Sequence, residues 1–170
     1  MTATTLADSG HQANDARTVT VYGSAAGFAQ EISLGQHRLA ADEPASVGGT
    51  DTGPGPYDLL LAALGSCTSM TVAMYARRKG WPLESITVRL WHSKLHVADS
   101  ESSETRDSLL DHIDRDVELC GALSEDQRAR LLEIANKCPV HRTLTSKIVI
   151  HTRLTEASRS TMPLLKSSAP

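Results

Sequence analysis

Two of the three cysteines are the residues in this sequence best suited to chemistry. Cys67 lies in the middle of the uncharged run 59–76, and Cys138 lies 71 residues later in the motif CPVHR. A redox pair needs a first thiol made nucleophilic by positive charge or hydrogen bonds, and a second thiol that reaches it after oxidation to the sulfenic acid. Most free cysteines are instead small buried hydrophobic residues, so residue type alone leaves both interpretations open.

The residues around Cys138 add further chemistry. His141 supplies a titratable donor and Arg142 a fixed cation within one loop. Cys138 and His141 also have the spacing of half a zinc site, but no second Cys/His pair follows at metal spacing, so we predict no metal. His37, in GQHRLAADEP, is either a surface histidine or part of the same site.

Length, charge and cysteine count exclude several classes of protein. A chain of 170 residues is about one domain, and 40% hydrophobic with 22% charged residues is ordinary for a soluble globular protein. The net charge of −3 gives no basic stripe for nucleic acid. Three scattered cysteines favour a reducing compartment, so we predict a cytoplasmic protein. We divide it into a disordered leader 1–17, one domain 18–155 and a flexible tail 156–170.

The uncharged run predicts a long helix from near Tyr57 to near Gly80. Two prolines precede it, and a basic last turn followed by glycine and Pro82 ends it. Length and cationic flank also suit a membrane span. Five small or hydroxyl residues dilute its hydrophobicity, and a helix that is apolar all round also suits the centre of a soluble fold. We therefore predict no membrane.

The remaining patterns predict antiparallel strands and a second helix. The predicted elements are a β-meander over 18–39, a loop over 42–56, strands over 84–97, 112–121 and 145–154, and a helix over 124–138. Ile113, Val117 and Leu119 share one phase of their strand. Ser124 and Gln127 predict a capping box, and Pro139 predicts that the helix stops with Cys138 at its exit.

Two motifs together resemble a known superfamily. GPGPYDLLLAALGSCTSMT followed by LSEDQRARLLEIANKCPVHRTL is similar to the osmotically inducible protein C and organic hydroperoxide resistance (OsmC/Ohr) proteins, over about residues 18–154. HRLAADEP together with CPVH resembles the less characterised OsmC-like branch. The resemblance implies an α+β fold of antiparallel sheets around a long central helix, with two chains intertwined as a homodimer and the sites at the subunit interface.

The resemblance also implies roles for single residues. The cysteine matching Cys67 attacks the peroxide, the one matching Cys138 resolves it as a disulfide, and Cys120 matches no role and is interpreted as structural. Where the catalytic branches carry a glutamate that orients an arginine, this chain has Tyr57, with Asp58 one residue on. For that arginine, which the resemblance places in the N-terminal strands, Arg38 is the nearest candidate, and Arg142 is the alternative from the other side. Candidates for the catalytic and thiol-tuning groups are therefore Cys67, Cys138, Asp58, His37, Arg38, Tyr57, His141 and Arg142.

Three functions follow as hypotheses. The first is a thiol-dependent peroxidase that acts on organic hydroperoxides in oxidative stress defence, needs no cofactor and is reduced by an external dithiol. The second is a module in which the same thiols, with His37 or His141, bind a small electrophile, a persulfide or a metal without turnover. The third is a structural dimer whose cysteines only pack.

Overall fold

The computed structural model describes residues 18–96 and 109–155. The predicted leader and tail lie outside these described residues. Within them, two antiparallel sheets and a long helix confirm the predicted α+β fold. The intertwined dimer stays a prediction, since a single chain is present.

The first sheet is the predicted β-meander. Its strands are β1 (Val19–Gly23), β2 (Gln30–Leu34) and β3 (His37–Ala41), in the order β1-β2-β3. The register places Val21 opposite Ile32 and Ile32 opposite Leu39. Ile32 is buried, but Val21 and Leu39 are about half exposed. Because these apolar side chains are exposed, the three-stranded sheet has little hydrophobic core.

A buried carboxylate organises the loop between the meander and the long helix. Asp42 is 2% exposed and accepts hydrogen bonds from the backbone N–H and the hydroxyl of both Thr50 and Thr52, at 2.6–3.2 Å. The Thr50 hydroxyl, opposed by burial and aided by the backbone N–H groups of Glu43, Thr52 and Thr50, holds the pKa of Asp42 well below its usual range. The charged form therefore fixes the loop that leads into the helix.

Helix α1 (Pro56–Lys79) is the element that carries Cys67. Pro56 lies in its first turn, and the backbone N–H of Gly55 donates to the Asp58 carboxylate at 3.0 Å. The helix ends at Gly80, whose φ of 65° is a left-handed conformation that glycine adopts without strain. Both predicted ends are confirmed to within about a residue.

Helix α1 also meets the length and composition of a membrane span, with a mean hydropathy of 1.6 over its best window. Core helices of soluble proteins have the same features. Here α1 packs against a β-hairpin and two further helices.

That hairpin consists of β4 (Leu83–His96) and β5 (Leu109–Gly121), paired antiparallel. Val88 lies opposite Val117, and Leu90 lies opposite Arg115. Ile113, Val117 and Leu119 are half-buried, so the predicted inward phase is confirmed. Arg115 lies in that same phase between them.

Helix α2 (Glu125–Ala135) packs against α1 next to the β4–β5 hairpin. Ser124 accepts the backbone N–H of Gln127, and the Gln127 side chain accepts the N–H of Ser124, which confirms the predicted capping box. A buried cluster joins the two helices: Val72, Ala76, Leu131 and Ala135. Each is at most 1% exposed. The cluster fixes α2 against the half of α1 that follows Cys67.

The predicted end of the second helix is wrong by about one turn. Helix α2 ends at Ala135, and a separate helix α3 (Pro139–Leu144) begins directly after Cys138. Pro139 restricts the preceding residue to extended geometry, and Cys138 has φ −63° and ψ 143°. The same proline suits the first position of a new helix. Cys138 therefore lies at the entrance of α3 instead of at the exit of α2.

The predicted last strand is also wrong in this structure. Residues 147–155 have no regular secondary structure. Ile148, Val149 and Ile150 are 52%, 67% and 82% exposed. The β-branched pattern is typical of a strand, but a strand also needs a neighbouring edge to pair with. Nothing in the described part of this chain pairs with the segment.

Candidate active site

Helices α1 and α3 bring Cys67 and Cys138 together. Both thiols are free, Cys138 is fully buried and Cys67 is partly exposed. The backbone N–H of His141 donates to Cys138 Sγ at 3.3 Å, so the sulfur caps the start of α3. The Cys67 thiol faces Cys138 closely enough to lower its pKa. The site therefore contains one thiol that solvent reaches and one enclosed by protein donors.

Thr68 connects the pair to its surroundings. Its Oγ1 lies 3.6 Å from Cys138 Sγ, and its hydroxyl donates to the backbone carbonyl of Leu64 at 2.7 Å. The side chain is fully buried. A hydroxyl has one proton and two acceptor lone pairs, so Thr68 can accept from a neutral thiol or donate to a thiolate.

Arg115 is the cation of the site. Its Nη1 donates to Thr68 Oγ1 at 2.9 Å, and its Nη2 donates to Asn136 Oδ1 at 2.7 Å. Nη1 also donates to the carbonyl of Ala135 at 3.4 Å. These bonds hold the guanidinium between β5, α1 and the end of α2. Sequence reasoning missed Arg115, although a charged residue in the inward phase of Ile113 and Val117 was a signal for it.

The charge balance at Cys138 favours the thiolate. Burial raises the pKa of the Cys138 thiol, but the His141 N–H, the Thr68 hydroxyl, the Cys67 thiol and the charge of Arg115 lower it further. The net result is a pKa below the usual thiol value. A lowered pKa is the property that separates reactive from inert buried cysteines.

Comparison with protein families finds a match over the part of the chain that carries both cysteines. Residues 49–153, which include both cysteines, match the family described as OsmC-like protein. The chain belongs to the OsmC-like family. No curated protein matches the chain.

Solved structures of OsmC-like and related proteins have the same fold. An OsmC-like protein from Mycoplasma pneumoniae has a TM-score of 0.60 at 19% identity, covering 77% of this chain and 88% of that one. An organic hydroperoxide resistance protein OsmC from Legionella pneumophila has a TM-score of 0.58 at 16% identity, covering 79% and 92%. The organic hydroperoxide resistance protein OhrB of Bacillus subtilis has a TM-score of 0.54 at 18% identity, covering 76% and 90%. At these identities the likeness establishes the fold alone.

Proteins of this family are soluble, so α1 is a helix of a soluble fold although its composition suits a membrane. The cytoplasmic location stays a prediction.

Two residues at the start of α1 were candidates in this OsmC-like chain. Asp58 is exposed and caps the helix by accepting the Gly55 N–H. Tyr57 is 51% exposed, and its ring stacks on His92 with centroids 4.3 Å apart. Both contacts are structural ones at the helix entrance, about 15 Å of helix rise from Cys67.

The other predicted thiol-tuning residues are divided between two places. His37 and Arg38 lie exposed on β3, and Arg38 donates to the carbonyls of Gly35 and His37. Arg142 is exposed on α3. His141 is half-buried and reaches the pair through its backbone N–H. Of these residues, the structure places His141 at the thiols and gives the position of the cation to Arg115.

Cys120 is exposed at the end of β5, opposite Ser85. Within residues 18–96 and 109–155, no group of three or more His, Cys, Asp or Glu side chains has the arrangement of a metal site.

Proposed function

We propose that this OsmC-like protein is a thiol-dependent peroxidase that reduces organic hydroperoxides through Cys67 and Cys138. The observation that carries the proposal is the paired thiols: Cys67 is partly exposed, and Cys138 is buried among a backbone N–H, a hydroxyl and an arginine. The names of the Legionella pneumophila and Bacillus subtilis relatives, which refer to hydroperoxide resistance, support the same chemistry.

The proposed cycle begins at Cys67. Its thiolate attacks the distal oxygen of the hydroperoxide, so an S–O bond forms, the O–O bond breaks, and the leaving alkoxide takes a proton to become the alcohol. The Cys138 sulfur then attacks Cys67, forming the S–S bond and releasing the sulfenic hydroxyl as water. An external dithiol reduces the disulfide by exchange and is itself oxidised. No cofactor takes part.

The side of α1 that carries Cys67 suits an apolar substrate. Leu60, Ala63, Met70 and Met74 lie three, four or seven residues from Cys67 and therefore share its helix face. Met70 and Met74 are 70% and 61% exposed, and Leu60 is 36% exposed. Methionine adapts to irregular apolar ligands. An alkyl hydroperoxide approaching Cys67 would meet these side chains, which we call the α1 stripe.

The α1 stripe also supports a homodimer. Its members repeat with alternating spacings of three and four residues, which is the pattern of a helix seam that packs against a second helix. The exposed residues Ile148, Val149 and Ile150 and the exposed apolar residues of the meander add further surface that a second copy would cover. A dimer would narrow the stripe to a channel leading to Cys67.

The dimer is tested by sedimentation equilibrium of the wild type and of Met70→Glu. A charge in the stripe should shift the protein towards monomer. Leu132→Glu, on α2 and 53% exposed, is the matched control that should leave the assembly state unchanged. A wild-type monomer at micromolar concentration would contradict the dimer.

The peroxidase is tested by mass spectrometry after brief exposure to near-stoichiometric cumene hydroperoxide. The wild type should form a Cys67–Cys138 disulfide, and Cys138→Ser should accumulate Cys67 sulfenic acid. Cys120→Ser is the matched control and should behave as the wild type, because Cys120 lies at the far end of β5.

Unchanged thiols under these conditions would refute the peroxidase. The binding or sulfur-handling module would then become the better hypothesis. Turnover should also be faster with a dithiol than with a monothiol as the reductant.

A further inference from the structure

Arg115 is an inward-facing charge whose hydrogen-bond acceptors are all neutral. They are the Thr68 hydroxyl, the Asn136 amide oxygen and the Ala135 carbonyl. In the part of the chain that the structure describes, no carboxylate forms an ion pair with it. Arg128, which also joins α2 to β5, donates to the carbonyls of Leu119 and Gly121. Arg115 differs from Arg128 because its hydrogen bond to Thr68 connects it to the Cys138 thiol.

The Thr68 hydroxyl provides the connection. While Cys138 is neutral, its S–H can donate to Thr68 Oγ1, and the hydroxyl proton points at the Leu64 carbonyl. Once Cys138 is a thiolate, the same proton can turn to the sulfur. The Leu64 carbonyl keeps a partner, because within the helix it also accepts the backbone N–H four residues on. Rotation of the Thr68 hydroxyl therefore leaves no buried acceptor at this position without a hydrogen-bond partner.

We propose that Arg115, acting through the Thr68 hydroxyl, is the positioning residue that stabilises one negative charge on the Cys67–Cys138 pair. Arg115 donates to Thr68 Oγ1, so the oxygen stays in place while its proton turns. This inference deepens the proposed function and rests on it for the use of that charge. With the charge shared, one sulfur is ready to attack and the other keeps a proton for the leaving alkoxide.

The distances set the size of the effect. Because Nη1 lies 2.9 Å from Oγ1 and Oγ1 lies 3.6 Å from Sγ, the guanidinium nitrogen is at most about 6.5 Å from the Cys138 sulfur. An opposite charge within about 4–6 Å lowers the pKa of an acid by about 1–3 units. Arg115 is only partly buried, and its charge is the smallest of the effects that lower the pKa of Cys138, so we expect an effect no larger than the lower end of that range.

The other groups that face the Cys138 thiol do not substitute for Arg115. They are Cys67 and Thr68 on α1 and His141 on α3, which acts through its backbone N–H. The positively charged residues nearest to it in sequence, Lys137 and Arg142, are both exposed. Solvent screens exposed charges, so their influence on a buried sulfur is small.

The test is a pH titration of thiolate absorbance at 240 nm, without peroxide, in a Cys120→Ser background. Arg115→Gln should move the first thiol midpoint up by as much as about one pH unit, which is at most a roughly tenfold loss of thiolate below the midpoint. The midpoint of Arg115→Lys should lie between those of the wild type and Arg115→Gln, because an ammonium group keeps the positive charge but lacks the planar array of donors of a guanidinium. Thr68→Val should shift the midpoint up, and Thr68→Ser should restore it.

Arg128→Gln is the matched control, since it removes a similarly placed arginine that bonds to β5 carbonyls, and its midpoint should equal that of the wild type. An unshifted midpoint in folded Arg115→Gln, or in Thr68→Val if Arg115→Gln fails to fold, would overturn the inference. A shifted midpoint without peroxide turnover would uphold the inference and refute the proposed function. Peroxide turnover with an unshifted midpoint would uphold the proposed function and refute the inference.

Discussion

Closing the disulfide between Cys67 and Cys138 should stabilise the folded protein. The bond would tie α1 to the start of α3 and close a loop of 71 residues. In the chain-entropy description, a loop of that length destabilises the unfolded state by about 4 kcal/mol at 25 °C. Against this, oxidation removes the sulfur as a partner of the His141 N–H and the Thr68 hydroxyl, at about 1 kcal/mol or less each.

The expected net gain is therefore about 2–3 kcal/mol. For a protein of this size, each kcal/mol raises Tm by about 2–4 °C, so the oxidised form should melt about 5–10 °C higher. The assay is thermal unfolding followed by circular dichroism at one protein concentration, on reduced protein and on protein oxidised with diamide. Diamide forms the disulfide without peroxide, so the result does not depend on the proposed activity.

The Cys67→Ser and Cys138→Ser variants should show no difference between the two treatments. A wild type in which mass spectrometry confirms the disulfide but Tm is equal or lower would refute this reasoning. It would mean that bringing the sulfurs to bonding distance disrupts the packing of α3 by as much as the loop entropy provides.

Two further predictions concern the elements that position α1. Because the pKa of Asp42 is lowered, its contribution to stability is complete above the unfolded pKa near 3.8 and is lost as the pH falls towards the folded pKa. In the wild type, the urea concentration at the unfolding midpoint should therefore decrease once the pH drops below about 4. Asp42→Asn should be less stable than the wild type at pH 7, and its stability should depend less on pH in the acid range. Gly80→Ala should lower the free energy of unfolding by about 1 kcal/mol, because the φ of Gly80 is 65°. Gly27→Ala is the control, since an added Cβ there meets open space, and it should change the free energy of unfolding by less than about 0.5 kcal/mol. Equal effects of the two substitutions in urea titrations would contradict the role given to Gly80.

Local sequence rules predicted most of the fold because each depends on neighbours along the chain. The caps of α1 and α2 involve residues three or four apart, and the inward phase of β5 follows from alternation. The last strand could not be predicted in the same way. A strand at 145–154 depends on a pairing edge, and in the part of the chain that the structure describes no strand pairs with it.

The site was only half predictable for a related reason. Cys67 and Cys138 are visible as residue types, and the resemblance paired them. The cation was sought beside the thiols in sequence, at Arg142, or in the N-terminal strands, at Arg38. It comes from Arg115, 47 residues beyond Thr68, because the long side chain of Arg115 reaches from β5 to Thr68 on α1. Chain distance gives no indication of such a contact, but an arginine in an inward phase does.

Burial of a thiol disfavours its charged form, and at Cys138 groups from three separate elements offset this effect. Burial raises the pKa of Cys138, so burial alone would leave an inert thiol. Helix α3 adds a backbone N–H, α1 adds a hydroxyl, and β5 adds a charge. Since Asn136, directly after α2, anchors the Arg115 guanidinium, loss of that one anchor should alter thiol reactivity without touching a cysteine. Reactivity at this pair therefore depends on the groups that β5 and α3 supply as much as on α1 itself.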